Sequence, residues 1–158
     1  MKVWKESSPG SGAWSVEATL AIRGHGGRVQ CVAVLADGPT KVRLVTGSED
    51  TTVKVWKESS PGSGAWSVEA TLTYQQSGHS DDVSCVAVLP DASTGEPRFV
   101  TGSYDKTVKV WKESSPGSGV WSVEATLTGH GSHVFCVAVL ADGRLATGSG
   151  DNTVNVWG

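Results

Sequence analysis

Val100-Thr-Gly-Ser-Tyr-Asp-Lys-Thr-Val-Lys-Val-Trp111 decides the fold, because the chain writes it three times. The other copies run from Val45 to Trp56 and from Ala146 to Trp157. Each reads as strand, tight turn, strand: runs rich in Val, Thr and Trp flank a short polar break. A unit repeated in register shares one continuous core with its neighbours and does not bury a core of its own.

Working outward, the first unit supplies two more strands. Trp14-Ser-Val-Glu-Ala-Thr-Leu20 alternates strictly, with Trp14, Val16, Ala18 and Leu20 on one face, the pattern of a half-buried strand. Arg23-Gly-His25-Gly-Gly is a loop, and Val29-Gln-Cys-Val-Ala-Val-Leu35 is apolar on nearly both faces, as expected of a strand buried between layers. Asp37-Gly-Pro39 is a turn. Lys-Glu-Ser-Ser-Pro-Gly-Ser-Gly starts at Lys5, Lys57 and Lys112. Because the strands on either side repeat in register, it reads as the turn of a long hairpin and not as a flexible linker. The repeat spacing, from Trp to Trp, is 52, 55 and 46 residues. The differences fall in two loops, Asp37–Arg43, Asp91–Arg98 and Asp142–Arg144 in one, and the segments before the His (Ala21–Arg23, Thr73–Ser77, Thr128) in the other.

Composition agrees and excludes several classes. Of the 158 residues, 38% are hydrophobic and 18% charged, with 20 Gly and 7 Trp, which suits short strands joined by turns. A net charge of −3 with no basic run is poor material for a nucleic-acid surface, so no nucleic-acid partner is expected. The longest apolar run, Cys136–Ala141, is far short of the roughly 20 residues that span a bilayer, so no membrane partner is expected. No charged-then-apolar leader is visible. Cys31, Cys85 and Cys136 recur at one place in the repeat, inside an apolar strand. Their odd number argues against a disulfide framework and for small buried hydrophobes in a reducing, intracellular, cytoplasmic setting.

His25, Thr46 and Asp50 invite comparison with a hydroxyl–imidazole–carboxylate triad, and the set recurs as His79, Thr101, Asp105 and as His130, Thr147, Asp151. Threefold repetition is what a structural role requires and catalysis does not, so no catalytic residue is assigned. Each unit offers one His and one Cys, short of the four converging ligands of a zinc site, and no metal or cofactor is expected.

The pairs Gly24-His25, Gly78-His79 and Gly129-His130, each followed by a buried strand and then Thr-Gly-Ser-x-Asp-x-Thr-Val-x-Val-Trp, resemble the WD-repeat β-propeller family over essentially the whole chain. The residue after each Trp is Lys5, Lys57, Lys112 or Gly158, never the Asp of the family's name. The resemblance implies an all-β fold of four-stranded antiparallel blades set radially around a channel, three blades per chain. It also implies that each Asp–His–Thr set joins its strand Trp (Trp56, Trp111, Trp157) in a hydrogen-bonded tetrad.

Three blades are too few to close a ring of the usual four to eight. In the family the outer strand belongs to the preceding blade, so the chain divides into a redundant strand stub and hairpin turn (1–13), an outer strand completing a neighbouring chain's last blade (14–20), and blades at 21–72, 73–127 and 128–158, the last lacking its outer strand. Head-to-tail pairing of copies is expected to close the ring, as a homodimer of six blades or a homotrimer of nine. Met1–Trp4 is then expected to be displaced or disordered.

Comparison of the copies with one another marks the positions that vary: Arg28 and Gln30, Asp82 and Ser84, His133 and Phe135 after the His, and Glu49, Tyr104 and Gly150 before the turn Asp. In WD-repeat propellers these lie on the top face, where partners dock, and Arg, Tyr and Phe anchor interfaces well. The expected function is a non-enzymatic scaffold presenting this face to a protein or peptide. The alternatives are a small-ligand or glycan-binding propeller with one pocket per blade, and a repeat fragment or built assembly with no evolved partner.

Overall fold

The computed structural model describes residues 1–19, 24–37, 41–90 and 95–158. Leu20 to Arg23, the Gly38-Pro39 turn and the loop start at Asp91 to Thr94 lie outside the described residues. Apart from a short 3-10 turn at Tyr74–Gln76, all regular structure described is strand.

Four antiparallel sheets follow one another along the chain. β1 (Lys2–Glu6) and β2 (Trp14–Thr19) form a two-stranded sheet. β3 (Val29–Asp37), β4 (Lys41–Ser48), β5 (Val53–Glu58) and β6 (Trp66–Leu72) form a four-stranded sheet in that order. β7 (Val83–Val88), β8 (Arg98–Ser103), β9 (Thr107–Glu113) and β10 (Trp121–Thr128) form a second. β11 (Val134–Val139), β12 (Leu145–Ser149) and β13 (Val154–Trp157) form a three-stranded one. The sheets are stacked and the stack is open at both ends.

The stacking is built from one repeated contact. One face of each sheet carries valines and leucine, the other Trp and aromatic or aliphatic partners. Leu35, Val45, Val53, Val55 and Leu72 of the first four-stranded sheet form one cluster with Phe99 and Trp111 of the second, with Trp121 and Val123 packed against it. Cys85, Val100, Val108 and Val110 of the second meet Val134 and Leu145 of the third in the same way. The close approach needs glycine: a Cβ on Gly47 would lie 2.5 Å from Val83 Cγ1, and one on Gly102 2.7 Å from Val134 Cγ1. Burial of these faces removes several large apolar side chains from water at about 1.5–3 kcal/mol each, which is what holds short strands in place.

Where a neighbouring sheet is absent, the same residue types are exposed. Val83 and Val134 are 0% exposed, while the equivalent Val29 is 40% exposed. The strand expected to be covered on both faces is therefore open on one in the first unit, where Val32 and Val34 face solvent. Cys31 is half-buried and Cys85 buried, but Cys136 is exposed, because no sheet follows the one that carries it. The expectation that all three cysteines are buried is corrected there. In the single chain the N-terminal stub has a partner of its own. β1 pairs with β2, and Met1 and Val3 pack against Leu44, Trp56, Trp66 and Val68.

The hairpin segments at 7–12, 59–64 and 114–119 are closed by the glutamate that precedes them. Glu6 accepts the N–H groups of Gly10 and Gly12, Glu58 those of Gly62 and Gly64, and Glu113 those of Gly117 and Gly119. The β4–β5, β8–β9 and β12–β13 turns place Thr51, Lys106 and Asn152 at φ near +70°. A β-branched residue resists that region most and Asn least. Thr51→Asn is expected to raise stability by about 0.5–1 kcal/mol, measured by urea unfolding.

Candidate functional site

Two constellations bring the varied and the invariant positions together at the same end of the sheets. The invariant one starts from the indole. Trp56 Nε1 donates to Thr46 Oγ1 at 2.8 Å, and Thr46 Oγ1 lies 2.7 Å from His25 Nε2. A hydroxyl that already accepts from the indole gives its own proton to Nε2, which leaves the imidazole proton on Nδ1, 3.0 Å from Asp50 Oδ2. The second unit repeats the chain through Trp111, Thr101, His79 and Asp105, each step 2.8 Å. The third repeats it through Trp157, Thr147, His130 and Asp151 at 2.8, 2.8 and 2.9 Å. All twelve residues singled out from the sequence for this role are thus joined in three sets of four.

Each carboxylate is held by more than its imidazole. Asp50 accepts from Thr52 Oγ1, Thr52 N and Gly26 N; Asp105 from Thr107 Oγ1, Thr107 N and Ser80 N; Asp151 from Thr153 Oγ1, Thr153 N and Gly131 N. Sequence reasoning missed the three threonines, although the invariant Thr two places after each Asp was the available signal. Desolvation opposes ionisation of Asp50, but the hydrogen bonds from Thr52 and Gly26, with His25 behind them, outweigh it and bring its pKa from 3.8 to about 2. Asp105 and Asp151 are driven in the same direction, Asp105 against desolvation by His79 and Thr107, Asp151 chiefly by Thr153. Burial lowers His25, partly offset by Asp50.

The signs agree. A lowered aspartate contributes stability above its ordinary pKa and loses it as the pH falls through the folded value; a lowered histidine likewise favours folding only while it stays neutral. Stability is therefore expected to begin falling below pH 6.5, the ordinary value for His25, and to fall further between 3.8 and about 2 as Asp50 is protonated. A melting temperature that holds steady across this range would contradict the arrangement. Nothing in it presents a free nucleophile: every hydroxyl and imidazole of the three sets is hydrogen-bonded within its own set, and burial pushes the Cys31 and Cys85 thiols up to about 12 and about 11.

The varied positions are placed around these sets and in part linked across sheets. Arg28 meets Glu49 at 3.4 Å on the surface. Gln30 Nε2 donates to Asp82 Oδ2 at 3.1 Å, joining the first unit to the second. Ser84 Oγ lies against the carbonyl oxygens of Gly102 and Val134. Tyr104, His133 and Phe135 come together. The Tyr104 and His133 rings stack with centroids 4.4 Å apart and planes 8° from parallel, and Phe135 stands edge-on to both at 5.6 and 6.2 Å. Phe135 is half exposed. Gly150, opposite, leaves room: a Cβ there would lie 3.0 Å from the Phe135 ring. The sequence showed these three as separate varied positions; that they form one aromatic surface across two sheets needed the fold. Among the described residues no cluster of three metal-ligating side chains is present, and no helix is long and apolar enough to cross a membrane.

A family model described as "WD domain, G-beta repeat" matches residues 15–57, 70–112 and 119–158. The chain is 32% identical over 149 residues to a "Ribosome biogenesis protein WDR12 homolog" of Drosophila persimilis, which covers 87% of this chain and 33% of that protein. The homologue of Drosophila erecta is 33% identical over 149 residues, with the same shares. A protein of Chaetomium globosum named "Probable cytosolic iron-sulfur protein assembly protein 1" is 35% identical over 135 residues, covering 75% of this chain and 28% of that protein. The chain spans about a third of the length of the curated relatives it matches.

Proposed function

The chain belongs to the WD40 repeat family, and from that premise we propose that it is a non-enzymatic interaction scaffold that presents its varied face to a protein or peptide. The observation that carries this is the aromatic surface of Tyr104, His133 and Phe135, with Phe135 half exposed. Rigid aromatic groups of this kind supply contact area at low entropic cost, and such residues dominate interfaces. The relatives' names, a ribosome biogenesis protein and an assembly protein, suit a role in larger complexes. The three Trp–Thr–His–Asp sets serve structure in this reading, since their polar atoms are spent on one another. A small-ligand or glycan pocket repeated in each blade fits less well, because the three copies offer Arg28 and Glu49, Asp82 and Tyr104, and His133 and Gly150 at corresponding places. Three free thiols suit a reducing compartment.

The ring is completed, on this proposal, by further copies of the chain: two supply six blades, three supply nine. Residues 14–20 then belong to a neighbour's last blade, and 21–72, 73–127 and 128–158 to the chain's own.

The docking face is tested with peptides selected from a random displayed library against the whole chain. Phe135→Ala and Tyr104→Ala are each expected to weaken the selected peptides by about 2 kcal/mol, or roughly thirtyfold, with the melting temperature unchanged. Equal binding by wild type and variants moves the site elsewhere. A stability loss of several kcal/mol would put these side chains in the core instead.

A further inference from the structure

The two open ends of the stack are copies of the two faces that mate inside it. At the far end, Val154 and Val156 stand 71% and 55% exposed, although their equivalents Val53, Val55, Val108 and Val110 are all buried against a following sheet. Gly148 has only Cys136 beside it, where Gly47 and Gly102 each receive a valine from the next sheet. At the near end, Val29, Val32 and Met1 line an open cleft of about 710 Å³. That cleft sits where the inner strands of a preceding blade would be.

β1–β2 is the outer half of that missing blade, already docked. Its register repeats β5–β6 and β9–β10: Trp4 pairs with Val16 as Trp56 does with Val68 and Trp111 with Val123, with the same irregularity one residue earlier. Met1 and Val3 lie on Leu44, Trp56, Trp66 and Val68 as Val53 and Val55 lie on Phe99, Trp111, Trp121 and Val123. β11–β12–β13 supplies the inner three strands of a blade and lacks the outer one. β1 (Val3-Trp4) and β13 (Val156-Trp157) carry the same residues for the same place.

An ion-pair site is divided in the same way. Arg43 reaches across two sheets, donating bidentately to Glu113 at 2.8 Å and to Glu69 at 3.0 Å, and stacks over Trp121 at 5.4 Å. The corresponding acids at the near end are Glu58 and Glu17, with Trp66 in the place of Trp121. Glu17 lies beside Gly64 as Glu69 lies beside Gly119. The corresponding arginine is Arg144, at the far end, 54% exposed and, among the described residues, ion-paired only with nearby Asp142.

We infer that β1 is a stand-in for β13 of a second copy: on association the second copy's β11–β12–β13 sheet fills the cleft, β13 replaces β1 on β2, and Arg144 enters the site formed by Glu17 and Glu58. This rests on the ring-closure reading above. The occupant is a second copy because one chain carries both mating faces and both halves of the charge site.

The test is solution mass by light scattering across a concentration series, on the whole chain and three variants. Wild type is expected to associate to two or three times the mass of one chain, with Cys136 becoming as slow as Cys31 and Cys85 toward a thiol reagent. Val156→Asp, at a residue exposed in the single chain, and Arg144→Glu are each expected to weaken association at least about tenfold with the strand circular dichroism unchanged. Val3→Asp is expected to do the opposite and tighten it about tenfold, since it weakens only the competitor. If wild type associates but Val3→Asp leaves association unchanged or loosens it, β1 is an ordinary strand and the displacement is wrong while ring closure stands. If wild type is monomeric at every concentration, ring closure itself fails.

Discussion

Arg43→Met is expected to lower the unfolding free energy by about 3–5 kcal/mol, read from urea denaturation, because it strands a charge that has nowhere to go. The Arg43 side chain is 4% exposed and that of Glu113 not exposed at all, and their two hydrogen bonds are each 2.8 Å. Desolvation works against both charges, yet the pairing overrides it: Glu113 is held below the ordinary carboxylate range by Arg43 and the Gly119 and Gly117 N–H groups, and Arg43 is raised by Glu113 and Glu69. Glu113→Gln in the Arg43→Met background removes the uncompensated charge while keeping an acceptor for the hairpin, so the double variant is expected to recover a large part of the loss. If the two single changes simply add, the pair is not coupled and the site is no clamp between sheets.

Asp105→Ala comes second, at about 1–3 kcal/mol for donors left without a partner. Four converge on this carboxylate: His79 Nδ1, Thr107 Oγ1, Thr107 N and Ser80 N. With the acid gone, His79 and Thr107 lose the anchor of the chain that ends on the Trp111 indole. An unchanged melting temperature would show that the tetrad does not stabilise the sheet. Asp151→Ala is the natural comparison, since its set sits at the open end of the stack, and there water can replace the missing acceptor.

The strand framework was legible because a period-two pattern written three times cannot be accidental, and His79, Thr101 and Asp105 could be grouped by the same repetition, with Trp111 joined to them only through the resemblance to the WD-repeat family. What escaped the sequence was whatever depends on which sheet stands next to which. Arg43 and Glu113 are 70 positions apart and no local pattern joins them. Val32 and Val34 read as buried because their strand is apolar, and the strand is the same in every unit; only the absence of a covering sheet exposes them. Cys136 failed for the same reason at the other end. The stub at Met1–Trp4 read as a duplicate of a strand that a neighbouring copy would supply; its packing in the single chain, with Met1 and Val3 on Trp56, was a contact between sheets and so not legible.

The contact between Gly47 and Val83, met again between Gly102 and Val134, has a genetic corollary. Every unit carries the same plug and the same socket, so unequal crossing-over between any two copies gives a longer or shorter array whose new junction is already shaped to fit. Such an array can change its number of units in one step, without a succession of repairing substitutions at the seam.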